Sequence, residues 1–185
     1  MAKTKANDGT RSPESRNSSS APSPNLREIA WAWIGGFVGI SFLGYVHFNI
    51  PDKPDAFMLL TTFGSSAVIV FGCSNSLQAQ PRSLIGGHLL SALVGVLAYQ
   101  IFQNQPWLAA SIGTATAITV MQLTKTLHPP GGATALIAVI GTQKIHDLGF
   151  TYIIAPVGVG AVALLLIALI INNLPRNSHY PERWF

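Results

Sequence analysis

Beyond its first 25 residues the chain alternates apolar runs with short polar breaks that carry turn chemistry. The runs are Ile29 to Phe48, Phe57 to Gly72, Leu84 to Phe102, Trp107 to Leu123, a short one near Pro129 to Gly141, and Phe150 to Ile171. The breaks are Asn49 to Pro54 with two prolines, Ser74 to Arg82 with Pro81, Gln103 to Pro106, and Thr142 to Gly149. A bilayer core of about 30 Å needs about 20 helical residues, within a range of about 17 to 25. The first, third, fourth and last runs meet that length, and the second does once extended to Ala56 and Cys73. Gly131 to Gly141 rises only about 16 Å as a helix. The fifth segment therefore either begins earlier, near Thr126, or enters the membrane without crossing it. The pattern predicts an all-α, polytopic membrane bundle of about six segments over residues 26–175, followed by a short polar tail at 176–185.

Charge sharpens this picture. Only 10% of residues are charged and 49% are hydrophobic, against roughly 25% charged in an ordinary soluble domain. After Asp55 the only Lys, Arg, Asp and Glu residues are Arg82, Lys125, Lys144, Asp147, Arg176, Glu182 and Arg183. Residues 1–25 are rich in Ser, Pro, Lys and Arg and lack the apolar surface needed to offset ordering entropy, so they are expected to form a disordered cytoplasmic tail. No apolar core follows within these residues, which argues against a secretory signal, and Asp8 and Glu14 interrupt any transit peptide. Five of the eleven basic residues fall in the first 27 positions, a distribution that suits membrane orientation better than nucleic-acid binding. With six crossings and the tail in the cytoplasm, nine Lys and Arg lie inside and only Lys53 and Lys144 outside. Five crossings give eight against three. The single cysteine, Cys73, allows no disulfide framework within the chain and reads as a small buried hydrophobe.

Gly35 and Gly39 in the first run, and Gly158 and Gly160 after Pro156 in the last, suit close helix approach and a kink. The segments also echo one another. Gly64-Ser65-Ser66-Ala67-Val68-Ile69 resembles Gly113-Thr114-Ala115-Thr116-Ala117-Ile118, and each leads to a proline turn followed by a glycine pair, Gly86-Gly87 and Gly131-Gly132. Either these are two parallel helical hairpins, with a solute site at their interface, or small residues are simply common in such helices. A true repeat places Arg82 and Lys125 on one side of the membrane.

The most distinctive stretch is Lys125-Thr126-Leu127-His128-Pro129-Pro130-Gly131-Gly132-Ala133-Thr134. Proline is favoured at a helix start, where its missing N–H has no intrahelical partner to lose. Glycines just inside such a start leave backbone N–H groups unshielded at the positive end of the helix dipole, an arrangement that favours an anion. Arg82 and Lys125 have no carboxylate anywhere between Ala56 and Gln143. Each either meets an anionic solute or snorkels to lipid headgroups. His128 is either a neutral hydrogen-bonding residue at the helix start or a group that titrates beside the solute path, from which proton coupling follows. His88 reads as a satisfied intramembrane histidine, and His47 and His146 as interfacial. Thr114, Thr116 and Thr134 offer hydroxyls, although membrane threonines more often bond their own backbone. Acidic pairs, zinc-spaced His and Glu, phosphate-binding loops and nucleophile elbows are absent. No enzyme activity, metal or cofactor is expected.

His128-Pro129-Pro130-Gly131-Gly132-Ala133-Thr134-Ala135-Leu136, together with Gln80-Pro81-Arg82 and Gly86-Gly87-His88, resembles the HPP family of integral membrane proteins, over about Trp31 to Ile171. The resemblance implies a small helical membrane protein. Photosynthetic members are associated with nitrite transport across the plasma membrane or plastid envelope, which implies nitrite as the leading solute and a link to nitrate assimilation. The expected function is transport of a small inorganic anion, with Arg82, Lys125, His128, Pro129, Pro130, Gly131, Gly132 and Thr134 forming the substrate site. The alternatives are a ligand sensor or partner-docking module without flux, and an intramembrane enzyme using His128 as base, which lacks a partnered nucleophile. The expected location is a bacterial or cyanobacterial cytoplasmic membrane, with a plastid inner envelope as the alternative. The expected partners are the anion and the lipid bilayer, not nucleic acid, and a homo-oligomer is left open.

Overall fold

The computed structural model describes residues 25–49, 57–175 and 179–184. The tail expected to be disordered lies outside these except for Asn25, as does Lys53. Seven helices follow in order: α1 (Leu26–Asn49), α2 (Phe57–Gly72), α3 (Pro81–Ile101), α4 (Pro106–Leu123), α5 (Pro129–Ile140), α6 (Gln143–Leu148) and α7 (Val159–Ile171). A 3-10 turn, Leu77–Ala79, precedes α3. A wound segment, Ile153–Gly158, leads into α7.

The helix starts follow from local chemistry. Asn25 opens α1: its Oδ1 accepts from the Arg27 N–H at 3.1 Å and its Nδ2 donates to Glu28 at 3.1 Å, satisfying one of the donors a helix start leaves free. Helices α3, α4 and α5 each begin on a proline, at Pro81, Pro106 and Pro129. The last apolar run bends where sequence expects it, because Ala155 leaves helical geometry (φ −135°, ψ 124°) immediately before Pro156.

Glycines set the packing distances. A Cβ on Gly39 would lie 3.1 Å from both Phe71 and Leu164, and one on Gly160 would press on the Phe63 ring. Along the α3–α5 seam, a Cβ on Gly87 would lie 2.6 Å from the Cβ of His128, and one on Gly95 would lie 2.8 Å from the Cα of Ala135. Backbones this close gain dispersion contacts where lipid supplies no hydrophobic drive to associate.

Contacts between helix ends fix the direction of each crossing. Arg82, in the first turn of α3, donates to the Thr124 carbonyl at the end of α4 at 2.7 Å, so these two helices run antiparallel. Asn172, just beyond α7, donates to the Val70 carbonyl near the end of α2 at 3.0 Å. The Phe71 ring fills the space beside Gly35 in the first half of α1. The ends of α2, α4 and α7 and the starts of α1 and α3 therefore gather at what we call the Arg82 end, and the Tyr99 end lies opposite. Hairpins α2–α3 and α4–α5 run in the same direction, and Arg82 and Lys125 share one end, as adjacent antiparallel spans require.

The fifth segment runs from one end of the bundle to the other. Thr126 packs on Gly86 and His128 on Gly87 near the Arg82 end, whereas Val139 clusters with Ala98 and Ala109 near the Tyr99 end. Its 12 helical residues rise only about 18 Å. The non-helical stretch from Lys125 to His128 extends it toward the Arg82 end, with Lys125 exposed and with Thr126 and His128 buried against α3.

Residues 179–184 fold back onto the 3-10 turn. The Tyr180 hydroxyl donates to the Ala79 carbonyl at 2.7 Å, and Asn173 pairs with the Tyr180 backbone in both directions. Gln80 fills its hydrogen-bonding capacity: Nε2 donates to the Ser74 and Ser76 carbonyls, and Oε1 accepts from the N–H groups of Glu182 and Arg183.

Candidate functional site

Four fully buried side chains form a continuous hydrogen-bonded chain inside the bundle: Ser66 on α2, His88 on α3, His128 at the cap of α5, and Thr134 within α5. The Ser66 Oγ lies 2.9 Å from the Nε2 of His88 and 2.9 Å from the Nε2 of His128. His88 Nδ1 lies 2.8 Å from the Thr134 Oγ1, and His128 Nδ1 lies 2.8 Å from the Gln78 carbonyl in the 3-10 turn.

The proton positions follow from the groups at its ends. A carbonyl can only accept, so His128 Nδ1 carries hydrogen toward Gln78. In a neutral imidazole the other nitrogen is then bare, so the Ser66 hydroxyl donates to His128 Nε2. Ser66 in turn accepts from His88 Nε2–H, which leaves His88 Nδ1 to accept from the Thr134 hydroxyl. Every group in the chain is satisfied with both rings neutral, and the weaker options, Ser66 to the Thr62 carbonyl at 3.2 Å and Thr134 to the Pro130 carbonyl at 3.4 Å, stay unused. The Gln78 carbonyl thus sets the direction of the whole chain.

The surroundings are apolar apart from a few hydroxyls. The Phe63 ring stands 5.2 Å from His88, and the two imidazoles are 5.0 Å apart between centroids. Thr62 Oγ1 and Ser91 Oγ, each about one helical turn from the chain, are buried without a hydrogen-bond partner. The Tyr152 hydroxyl donates to the Thr134 backbone carbonyl at 3.0 Å. Tyr152 also lines a cavity of about 160 Å³ at the Tyr99 end, with Tyr99, Gln100, Gln103, Ala138 and His146. The His146 ring stacks on Tyr99 with centroids 3.7 Å apart.

The residues expected to hold an anion separate into three groups: two in the buried chain, two exposed cations, and the proline and glycine residues of the α5 start. His128 and Thr134 belong to the buried chain. Arg82 and Lys125 are exposed at the end of α4, where cations suit the negative end of the dipole. Lys125 takes a left-handed backbone (φ 56°), its N–H donates to the Gln122 carbonyl, and the Thr126 N–H donates to the Met121 carbonyl. This is a Schellman termination with lysine where glycine is usual. Pro129 and Pro130 bring no N–H groups, and the Gly131 N–H donates to the His128 carbonyl at 2.8 Å. Gly131 faces α3: its Cβ position lies 2.8 Å from the Gly87 carbonyl oxygen and 2.8 Å from Ser91 Oγ. Beside Gly132 the nearest atom is a Thr114 methyl at 3.9 Å.

Sequence reasoning missed Ser66 and Tyr152. A serine in an apolar helix gives no signal of its own, and the only hint was that two intramembrane histidines need a partner between them. A hydroxyl between two imidazoles also supplies the partnered nucleophile that the enzyme reading lacks in sequence. Ser66 is fully buried, however, and lines neither the Tyr99-end cavity nor a shallower one beside it formed by residues 100–105. Among the described residues no group of three or more His, Cys, Asp and Glu side chains is placed to hold a metal ion.

Apolar helices that cross repeatedly, with a buried polar chain between them, define a multi-pass integral membrane protein. The transmembrane region of the HPP family matches residues 21–181, and the chain belongs to that family. It is 41% identical over 164 residues to a transmembrane protein of Dictyostelium discoideum, covering 87% of this chain and 52% of the relative. A second Dictyostelium discoideum transmembrane protein is 41% identical over 167 residues, covering 89% of this chain and 58% of the relative. The chain thus spans a little over half the length of these curated relatives. No solved structure matches it.

Proposed function

We propose that the chain is a transporter of a small inorganic anion, with nitrite as the leading solute. The observation that carries this reading is the set of buried polar side chains in the bundle interior, Ser66, His88, His128 and Thr134, flanked by the unpartnered hydroxyls of Thr62 and Ser91. Intramembrane polar groups are costly and mark solute or proton pathways. No carboxylate lies between Ala56 and Gln143 to repel an anion or attract a metal cation. The Tyr99-end cavity matches the scale of a small ion with some hydration. Nitrite itself rests on the family resemblance. Transport is favoured over hydrolysis because Ser66 has no cavity in which a substrate carbonyl could meet it.

Arg82, Lys125 and Arg183 at one end, against Lys144 near the other, favour the Arg82 end as cytoplasmic. The membrane of residence is proposed to be a bacterial or cyanobacterial cytoplasmic membrane.

The test is nitrite uptake into liposomes containing the purified protein, against empty vesicles because nitrous acid crosses lipid unaided, with nitrate and formate as competitors. Saturable, protein-dependent uptake is expected. Binding without flux above control would replace transport by a sensing role.

A further inference from the structure

The chain from Thr134 to His128 has a property that transport of an anion does not by itself require: it is self-consistent in two proton arrangements. We propose that Thr134, His88, Ser66 and His128 form a proton relay in the membrane core, taking up one proton at the Thr134 end and holding it on His128 behind the Gln78 carbonyl. The relay rests on the transport reading only for the identity of what the proton accompanies.

In the neutral arrangement every hydrogen points from Thr134 toward Gln78. When a proton arrives at the Thr134 Oγ1, the original Thr134 hydroxyl proton passes to His88 Nδ1. The proton on His88 Nε2 passes to Ser66 Oγ, and the Ser66 proton passes to His128 Nε2. One proton has entered, no atom carries an excess hydrogen except His128, and the single positive charge rests there. Each bond between the four side chains is now reversed. His128 Nε2–H donates to Ser66, Ser66 donates to His88 Nε2, His88 Nδ1–H donates to Thr134, and Thr134 turns to the Pro130 carbonyl at 3.4 Å. His128 Nδ1–H still faces Gln78. The same heavy-atom positions, at 2.8 to 2.9 Å, serve both arrangements, so the transfer needs no side-chain displacement.

Both ends are closed in this structure. Tyr152, donating to the Thr134 carbonyl, stands between the chain and the Tyr99-end cavity. At the other end the 3-10 turn covers His128, and a carbonyl cannot carry a proton onward, so release needs that turn to move. Such an occluded site suits a proton carried in step with a solute rather than an open wire.

Few other groups would compete for the proton. α2 offers the Ser66 and Thr62 hydroxyls and the Phe63 ring, α3 offers His88 and the Ser91 hydroxyl, α5 and its cap offer Thr134 and His128, and the segment before α7 offers Tyr152. Helices α4 and α7 contain no Asp, Glu, Lys, Arg or His. Arg82 and Lys125 are exposed at one end, and α1 keeps Arg27, Glu28 and His47 near its own ends.

The test is magnetic-resonance spectroscopy of the full chain in lipid, with isotope-labelled histidine nitrogens assigned through His88→Asn and His128→Asn variants. At alkaline pH the wild-type protein is expected to show hydrogen on Nε2 of His88 and on Nδ1 of His128. As pH falls, His128 is expected to gain its second proton and His88 to switch to Nδ1 in a single coupled step. In Ser66→Ala the two changes are expected to separate. If that variant does not fold, the wild-type spectra alone decide. His88 keeping its Nε2 hydrogen while His128 charges, His88 itself becoming doubly protonated, or neither ring changing before the protein unfolds would each overturn the relay. A coupled switch in a protein that moves no nitrite would leave the relay standing and remove the solute.

Discussion

His88 and His128, 40 positions apart in sequence, are joined through one hydroxyl: each places Nε2 2.9 Å from the Oγ of Ser66. Neither ring can be truncated without stranding a partner where no water competes. Ser66→Ala strands two ring nitrogens, and an unsatisfied buried polar group costs about 1–3 kcal/mol. We therefore expect a loss of a few kcal/mol in the thermal unfolding of detergent-solubilised protein, and loss of uptake in liposomes. Ser65→Ala is the control, because Ser65 is exposed and bonds only the Thr61 carbonyl at 3.3 Å. It should unfold like the wild type.

The adjacent glycines of the distinctive stretch should respond in opposite ways. Gly131→Ala forces a methyl against the Gly87 carbonyl and Ser91 at 2.8 Å and the Met121 sulfur at 3.0 Å. Overpacking of this kind costs about 1–3 kcal/mol. Gly132→Ala meets nothing closer than 3.9 Å and removes the conformational freedom of glycine in a helix, so it should be neutral or slightly stabilising. Melting temperatures of the two variants check this. Equal destabilisation would place Gly132 at an interface that the structure does not contain.

Lys125 separates a backbone role from a charge role. Its left-handed conformation costs a non-glycine residue about 1–2 kcal/mol, so Lys125→Gly should stabilise the end of α4 by roughly 1 kcal/mol. Lys125→Gln keeps the strain and removes only the charge. If Lys125 draws in the anion, both variants should raise the nitrite concentration needed for half-maximal uptake. If it serves only as a helix terminator, Lys125→Gly should transport normally and melt higher.

These contrasts show which parts of the molecule were legible in sequence. Run lengths and proline-led helix starts gave six segments, and Pro156 gave the bend in the last. The fifth segment stayed ambiguous because its reach through the bundle depends on the non-helical stretch from Lys125 to His128, which is placed by packing of Thr126 and His128 on Gly86 and Gly87. His128 and Thr134 stood out through the motif around them. Ser66 and Tyr152 did not, since their importance lies in which helix faces which, and small apolar helices leave that register nearly unmarked. Arg82 and Lys125 drew attention as unpaired cations. The end of the fourth run at Leu123 already lay beside Lys125 in sequence, but the bond from Arg82 to the Thr124 carbonyl there was visible only once the chain was folded.

The returning C-terminal segment gives a prediction with a worked sign. Burial pushes the Tyr180 phenol well above its ordinary range, because ionisation would place a charge where only the Ala79 carbonyl waits. The folded pKa exceeds the unfolded one, so docking of 179–184 is at full strength below the ordinary phenol value of about 10 and weakens as pH rises from there toward the folded value. In Tyr180→Phe the hydroxyl is gone: docking should be weaker by roughly 1 kcal/mol at neutral pH, and its alkaline dependence should disappear. A spin label placed by Trp184→Cys reads the mobility of the segment directly, in a Cys73→Ser background because Cys73, just past the end of α2, is exposed and not the buried hydrophobe its apolar run suggested. Mobility rising above about pH 10 in the Tyr180 protein and flat in Tyr180→Phe is expected. The same rise in both would assign the release to another group and leave Gln80, which grips the Glu182 and Arg183 N–H groups, as the principal clasp.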